Sequence, residues 1–454
     1  MSKIMFLEWS TELTRDRLAS VPIINYLKLR NVVIVQAPLQ NAFWNIDIER
    51  PDIIVLMNTN GAITSIDVAR YAKKKGCIVV SLFGEGNFQE ERIEQFFFGH
   101  NKKDKELIDD YRLVWSRRAK KLVDKHYPDR SKTTYFCGCP GADNYVLTKG
   151  SHNDIFDKYN LNKNDYKLVL GVGCWDFGLL SDKDHRHEFI EKNISKLEQR
   201  RIMEDGHKFN KTLIQLAEHF DDVLFLIKEH PHKSKVVNDP SMISGINKLS
   251  NALVVDHDES ITDCIQASDI WLSYESTTAM EAWIAGVSTG LLNPSGIDFE
   301  SKWRASVCKG QPNFRNFEEW RDAIEYYTTH KILPSENDYE DIRRSILEDV
   351  FGHVDGLNHV RIGNFIIEKC KETAELKVKN DVSLKSIVKM LIWNFSKLLN
   401  FLKINRSLCF LPSSFNVRNW DVSYGKEYED TIMIKQNKLY LINGLTINKI
   451  RDFK

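Results

Sequence analysis

Short apolar runs alternate with longer amphipathic stretches along most of the chain. In the first third, Ile53-Ile54-Val55-Leu56 and Ile78-Val79-Val80 contain no polar residue. Such runs mark strands covered on both faces, as in a parallel sheet. The same reading predicts strands over Lys3–Glu8, Val32–Gln36, Asp52–Met57, Cys77–Phe83, Arg112–Trp115 and Thr133–Cys137. Segments such as Ser65–Lys75 and Arg117–Lys125 read as helices crossing between them. After a polar, linker-like stretch at about 146–166, a second series is expected: Lys167–Val172, Val223–Lys228, Ala252–Val255, Ile270–Ser273 and Thr289–Asn293. A long charged helical region, about Arg186–His219, and helices about Ser260–Ala267, Thr278–Ala285 and Glu318–Thr329 accompany it. Strand–helix alternation predicts two doubly wound α/β domains, 1–150 and 151–335. Residues 336–375 read as closing helices, and 376–454 as a separate tail.

Composition narrows the class. Of 454 residues, 42% are hydrophobic and 28% charged, which excludes a mainly disordered, collagen-like or disulfide-scaffold chain. Lys plus Arg and Asp plus Glu each number 63, and this balance argues against a general nucleic-acid binder. The apolar run in Met1–Glu8 is too short for a signal peptide, and no 18-residue apolar stretch predicts a transmembrane helix. The cysteines are scattered; Cys137-Gly-Cys139 is the one close pair and lacks a second pair at zinc spacing. Unbridged thiols in a cytoplasmic protein are expected, with no metal site.

Four features fall at the predicted carboxyl ends of strands, where open α/β sheets bind ligands. Gly84-Glu85-Gly86 follows the Cys77–Phe83 strand; the glycines permit a sharp turn, and Glu85 suits a general base. Lys228-Glu229-His230-Pro231-His232 follows Val223–Ile227: Pro231 stops the strand and leaves His230 at its mouth, placed to stabilise a departing phosphate. Lys228 would add positive charge or simply end the strand. Ser276-Thr277-Thr278 opens a helix whose N–H groups and hydroxyls would cradle phosphate. Thr278-x-x-Glu281 also reads as a capping box, and the two readings are compatible. Gly171-Val-Gly173 lacks the G-x-G-x-x-G pattern, which makes an NAD enzyme a poor fit, although small residues there would admit a diphosphate or an acceptor sugar. Asp256-His257-Asp258 has the D-x-D spacing of some metal-dependent sugar transferases, but its backbone reads better as a contact for a nucleotide base.

Taken together, these residues resemble the GT-B glycosyltransferases of bacterial surface-polysaccharide synthesis. The similarity is greatest to polysialyltransferases and capsular Kdo transferases, and more distant to the CDP-polyol phosphotransferases of teichoic acid synthesis. Glu85-Gly86 matches the group's acidic-Gly motif, His230-Pro231 its His-Pro motif, and Ser276-Thr277, with Thr278 following, its Ser/Thr pair. The resemblance implies two Rossmann-like domains facing a central cleft and an inverting single displacement without metal or other cofactor. Glu85 would deprotonate the acceptor, His230 would stabilise the leaving nucleotide phosphate, and Ser276 and Thr277 would bind it. Position 84 is Gly where polysialyltransferases tend to carry a second acidic residue; the donor nucleotide is therefore left as CMP, UDP or CDP. A non-hydrolysing sugar-nucleotide epimerase and an inactive glycan-binding scaffold are the alternatives.

The zero net charge conceals one asymmetry. From 382 to 420 there are six basic residues (Lys385, Lys389, Lys397, Lys403, Arg406, Arg418) and no acidic one. On a helical wheel the lysines with Arg406 share one side, and Ile387, Leu391, Phe395, Leu398 and Leu402 share the other. Such a helix suits an anionic membrane surface, as for an enzyme extending a lipid-linked glycan, or packs on its own protein or a second copy.

Overall fold

The computed structural model describes residues 2–8, 15–57, 63–83, 86, 89–99, 106–148, 153–177, 195–230, 242–256, 259–297, 307–372, 379, 381–401, 434–436 and 438. The chain divides into two compact units: residues 1–147 with 348–454, and residues 148–347.

The first unit is built on six parallel strands: β1 (Lys3–Glu8), β2 (Val33–Pro38), β3 (Ile53–Met57), β4 (Ile78–Leu82), β5 (Tyr111–Val114) and β6 (Thr134–Phe136), in the order β2-β1-β3-β4-β5-β6. Helices α1 (Arg15–Leu29), α2 (Ala42–Glu49), α3 (Ile63–Lys75), α4 (Ile93–Phe98), α5 (Arg117–His126) and α6 (Asp143–Leu147) accompany it. Alternation along the strands separates two cores. Met5, Leu7, Ile54, Leu56 and Val79 meet α2 and α3 residues on one face, and Ile4, Phe6, Ile53, Val55 and Val80 pack toward α1 on the other.

The second unit repeats the plan. Strands β7 (Leu168–Gly173), β8 (Val223–Lys228), β9 (Ala252–Val254), β10 (Ile270–Ser273) and β11 (Ser288–Leu291) form a parallel sheet ordered β11-β10-β7-β8-β9. Its helices are α7 (Asn153–Lys158), α8 (Lys196–His219), α9 (Ile261–Ala267), α10 (Thr278–Ala285), α11 (Phe317–His330) and most of α12 (Glu340–Val350). Leu168, Leu170, Val172, Phe225 and Ile227 pack on Phe209 and Leu213 of α8 and Trp320 and Ile324 of α11. Both units are thus doubly wound α/β, as expected.

Two sequence expectations need correction. The supposed linker contains α7, whose Ile155 and Phe156 are buried, because these two apolar side chains have a core to enter. Of the closing helices, α13 (Asn358–Glu372) packs on α1 in the first unit. Its start is fixed by a buried polar cluster, in which Asp143 accepts from the His359 backbone at 2.7 Å and its Nδ1 at 2.8 Å, while Asn358 Nδ2 donates to the Cys139 carbonyl at 3.0 Å. Nor is the tail separate, since α14 (Leu384–Phe401) packs on α2. Residues 402–433, including Lys403, Arg406 and Arg418, lie outside the described residues.

Candidate functional site

Register in the second sheet puts three of the predicted motifs at one edge. Gly173 pairs with Lys228 on one side and with Ser273 on the other. The chain leaves β7 for β8 and β9 on one flank and returns to β10 on the other, so the topological switch point lies between β7 and β10. His230 leaves the sheet two residues past Lys228, and Ser276 three past Ser273. At the usual strand spacing, these two exits are about 10 Å apart.

At the switch point the hydroxyls form a relay. The buried Trp271 indole donates to Thr278 Oγ1 at 3.0 Å, and Thr278 Oγ1 donates to Ser276 Oγ at 2.9 Å. Ser276 Oγ also accepts the Thr278 backbone N–H at 3.3 Å. With two donors already aimed at this oxygen, the Ser276 proton is directed to a third partner, and the residue is half-buried at the surface. Beside it lies the N-terminus of α10, which favours an anionic ligand. Thr277 is the N-cap of that helix, and its side chain makes no capping bond.

The relay changes the roles expected of several residues. Thr278 is inside α10 rather than at its cap, so the predicted capping box does not form; its hydroxyl supports Ser276 and is not presented to a phosphate. Glu281, mostly buried in the first turn, favours the helix through its dipole. Gly171 lies within β7, not in a loop. A Cβ there would come 2.1 Å from Ser268 Oγ and 2.5 Å from the Trp271 ring, so the glycine makes room for tryptophan rather than ligand. At Gly173 a Cβ would meet Thr278 Oγ1 and the Trp271 ring at 3.0 Å, which places this glycine directly against the relay.

Lys228 is buried at the end of β8 and donates to the Asp256 carbonyl at 3.3 Å, tying down the neighbouring loop. The backbone N–H of Asp256 donates to Tyr159 Oη at 2.8 Å. This amide is therefore committed within the protein. His230 is half-buried at the mouth of β8. Pro231, His232, His257 and Asp258 lie outside the described residues.

In the first unit, Gly84 and Glu85 also lie outside the described residues, but Phe83 and Gly86 on either side of them both contact one side chain. Trp115 Nε1 donates to the Phe83 carbonyl at 2.8 Å, and a Cβ on Gly86 would fall 2.1 Å from the Trp115 ring. Trp115 itself stacks on Phe351, with ring centroids 5.7 Å apart. Gly86 is thus required by close approach to an aromatic face.

Two features escaped the sequence reading. Glu8, at the carboxyl end of β1 next to the β1/β3 switch point, forms a buried ion pair with Arg17 at 2.9 Å and accepts from Ser20. Behind the Ser276 turn, buried Asp205 of α8 accepts from Tyr274 Oη at 2.9 Å and from Ser295 Oγ at 2.7 Å, joining the segments that follow β10 and β11. Burial and the adjacent carboxylate push the Tyr274 phenol well above its ordinary range. Polar residues at a strand's carboxyl end were the available signal for Glu8. Nothing local marks Asp205 within a charged helix.

No family model matches this chain, and no curated protein matches it. Solved structures do share its fold. The wall teichoic acid polymerase TagF is 13% identical, covering 82% of this chain and 90% of its own, with a TM-score of 0.50. The UDP-GlcNAc 2-epimerase of Methanocaldococcus jannaschii is 14% identical over 81% of this chain and all of its own, at 0.51. MnaA of S. aureus, solved with UDP, is 15% identical over 82% of this chain and 97% of its own, at 0.50. The likeness is one of fold: two Rossmann-like, parallel-sheet domains of the GT-B kind.

Proposed function

We propose that this protein is an inverting glycosyltransferase that moves a sugar from a CMP-, UDP- or CDP-linked donor to a bacterial surface glycan. The observation that carries the reading is the Trp271–Thr278–Ser276 relay at the switch point of the second sheet, in register with the strand that leads to His230. It supplies an oriented hydroxyl and a helix N-terminus where a donor phosphate would sit. Nucleotide ligands or substrates in the names of proteins sharing the fold support a nucleotide-sugar donor.

In this reaction the acceptor hydroxyl attacks the anomeric carbon while the bond from that carbon to the phosphate oxygen breaks. Glu85 takes the hydroxyl proton. The electron pair departs with the phosphate, whose new charge His230 and Ser276 stabilise as donors, with Thr277 beside them. Metal independence follows from the same resemblance. The acceptor is a glycan or lipid-linked glycan, met on the cytoplasmic side.

Glu85→Gln and His230→Ala proteins should fold normally and lose sugar transfer. Wild-type turnover by both would sink the assignment. The likeness to epimerases supports a second reading, non-hydrolysing epimerisation of the nucleotide sugar. Product analysis without acceptor separates the two, since only the epimerase then converts its substrate to an isomer.

A further inference from the structure

Tyr274 is fully buried in the segment that leaves β10, two residues before Ser276. Its ring lies among Trp175 and Phe177, which follow β7, and Phe209 of α8, with centroids 6.0, 5.1 and 6.2 Å away. Gly206 makes this packing possible, since a Cβ there would fall 2.6 Å from the Phe177 ring. Beside that glycine stands buried Asp205, whose Oδ2 accepts the Tyr274 hydroxyl at 2.9 Å. Burial and this carboxylate push the phenol up, so it stays protonated and donating.

The same oxygen accepts from Ser295 Oγ at 2.7 Å, in the segment after β11. That segment is a closed turn: Asn293 Oδ1 accepts the Gly296 backbone N–H at 3.2 Å, and Asn293 Nδ2 donates to the Ile297 carbonyl at 3.0 Å. Arg201, one helical turn before Asp205, donates to Ser295 Oγ and to the Ile297 carbonyl, each at 3.4 Å. One carboxylate oxygen therefore joins α8 to the exits of β10 and β11, which are neighbours in the sheet. Burying a carboxylate costs more than burying an apolar side chain, so packing alone does not call for an aspartate here. The Trp271–Thr278 relay acts within β10 and α10 and orients the Ser276 hydroxyl. Asp205 instead ties the backbone leading into the turn to a different helix.

We propose that Asp205 is a positioning residue of the donor site: it fixes the backbone of the turn after β10 so that Ser276 meets the nucleotide phosphate without rearrangement. Asp205 is buried behind the turn and acts through it, not by touching the ligand. A donor group already held in place binds without an ordering cost, whereas one with loose supports loses affinity. The proposal rests on the phosphate role of Ser276, but the hold on the turn is measurable without any nucleotide.

Calorimetry of the full chain with CMP, CDP and UDP tests it, at a temperature where circular dichroism shows each variant folded. Asp205→Ala should lose about tenfold in affinity for the nucleotide that binds. Asp205→Asn, whose amide oxygen can still accept both hydroxyls, should stay near the wild type. A merely structural role would lower the melting temperature of Asp205→Ala and leave the affinity of its folded form unchanged, which overturns the proposal. Because Asp205 acts through the turn, Asp205→Ala/Ser276→Ala should bind no more weakly than Ser276→Ala alone; losses that multiply overturn it. Equal losses in the Asn and Ala variants assign the effect to charge and also overturn it. Tyr274→Phe keeps the ring, removes one hydroxyl and replaces Asp205→Ala if that variant does not fold; wild-type affinity in Tyr274→Phe counts against the proposal in the same way. Without nucleotide, backbone hydrogen exchange over 274–278 should be faster in Asp205→Ala or Tyr274→Phe than in the wild type. A wild type that binds none of the three nucleotides sinks the donor reading, whereas unchanged exchange sinks the hold by Asp205, so the two failures are told apart.

Discussion

Replacing Thr278 by the near-isosteric Val removes the centre of the relay without changing its volume. Two bonds disappear: Trp271 Nε1 to Thr278 at 3.0 Å, and Thr278 to Ser276 at 2.9 Å. Trp271 is fully buried, and an orphaned indole N–H costs about 1–3 kcal/mol, while the lost hydroxyl pair adds about 0.5–1.5 kcal/mol. In a unit of this size one kcal/mol moves Tm by about 2–4 °C, so Thr278→Val should lower it by roughly 3–18 °C. Ser276→Ala should behave in the opposite way. It leaves the indole bond intact and so costs less stability than Thr278→Val, although the bonds from Thr278 to Ser276 are lost, but it removes a donor to a charged oxygen, a bond typically worth about 1.5–3 kcal/mol. That corresponds to about a 10- to 100-fold loss of nucleotide affinity. Thermal unfolding of both variants with and without CMP, CDP and UDP, together with calorimetry, reads the two effects independently. Thr278→Val melting with the wild type, or Ser276→Ala keeping wild-type nucleotide affinity, would refute the relay as the phosphate site.

Gly171→Ala should destabilise the second unit by about 1–3 kcal/mol through overpacking, and Gly173→Ala by less, because the closest contacts are 2.1 Å against 3.0 Å. The reverse order of melting temperatures would contradict this. Burial alone would raise the Asp47 carboxyl, but hydrogen bonds from Tyr71, Lys75 and Ser383 hold it below the usual carboxylate range. A depressed folded value contributes stability above the unfolded one, near about 3.9, and loses it as pH falls through the folded value. Hydrogen exchange over 384–393 should therefore rise below about pH 4, and constant protection to about pH 3 would argue against these bonds as the anchor of α14. Burial pushes the Cys77 and Cys137 thiols up to about 12, whereas Cys308 and Cys370 are partly exposed. Maleimide labelling read by peptide mass should reach Cys308 and Cys370 before Cys77 and Cys137; the reverse order would contradict the packing.

The strands were legible because their burial is written locally. Lys3–Glu8 and Ile270–Ser273 match their expected bounds, and Ile53–Met57 consists wholly of apolar residues. The positions of Ser276 and His230 just past strand ends were legible, because the strands themselves were. The site was not legible where a neighbour across the sheet decides. Gly171 and Gly173 look like a turn until Trp271, in register on β10, fills the space above them. Lys228 looks exposed until the Asp256 carbonyl, from the adjoining loop, takes its ammonium. Helical periodicity separated the two faces of α14 but held no information on which one Asp47 and Ser383 would turn inward. The return of α13 to the first unit depends on Asp143, more than two hundred residues away in sequence, a separation that no local pattern encodes.

The central claim is sugar transfer from a nucleotide donor, and acceptor mass is its most direct readout. The purified full chain is incubated with CMP-, UDP- and CDP-linked sugars and a surface-glycan acceptor, and the acceptor is weighed by mass spectrometry. The account predicts a gain of one or more sugar masses with one donor class, matched by release of that nucleotide and absent in Glu85→Gln. An unchanged acceptor with every donor, while a nucleotide sugar is converted to its isomer without acceptor, would contradict it.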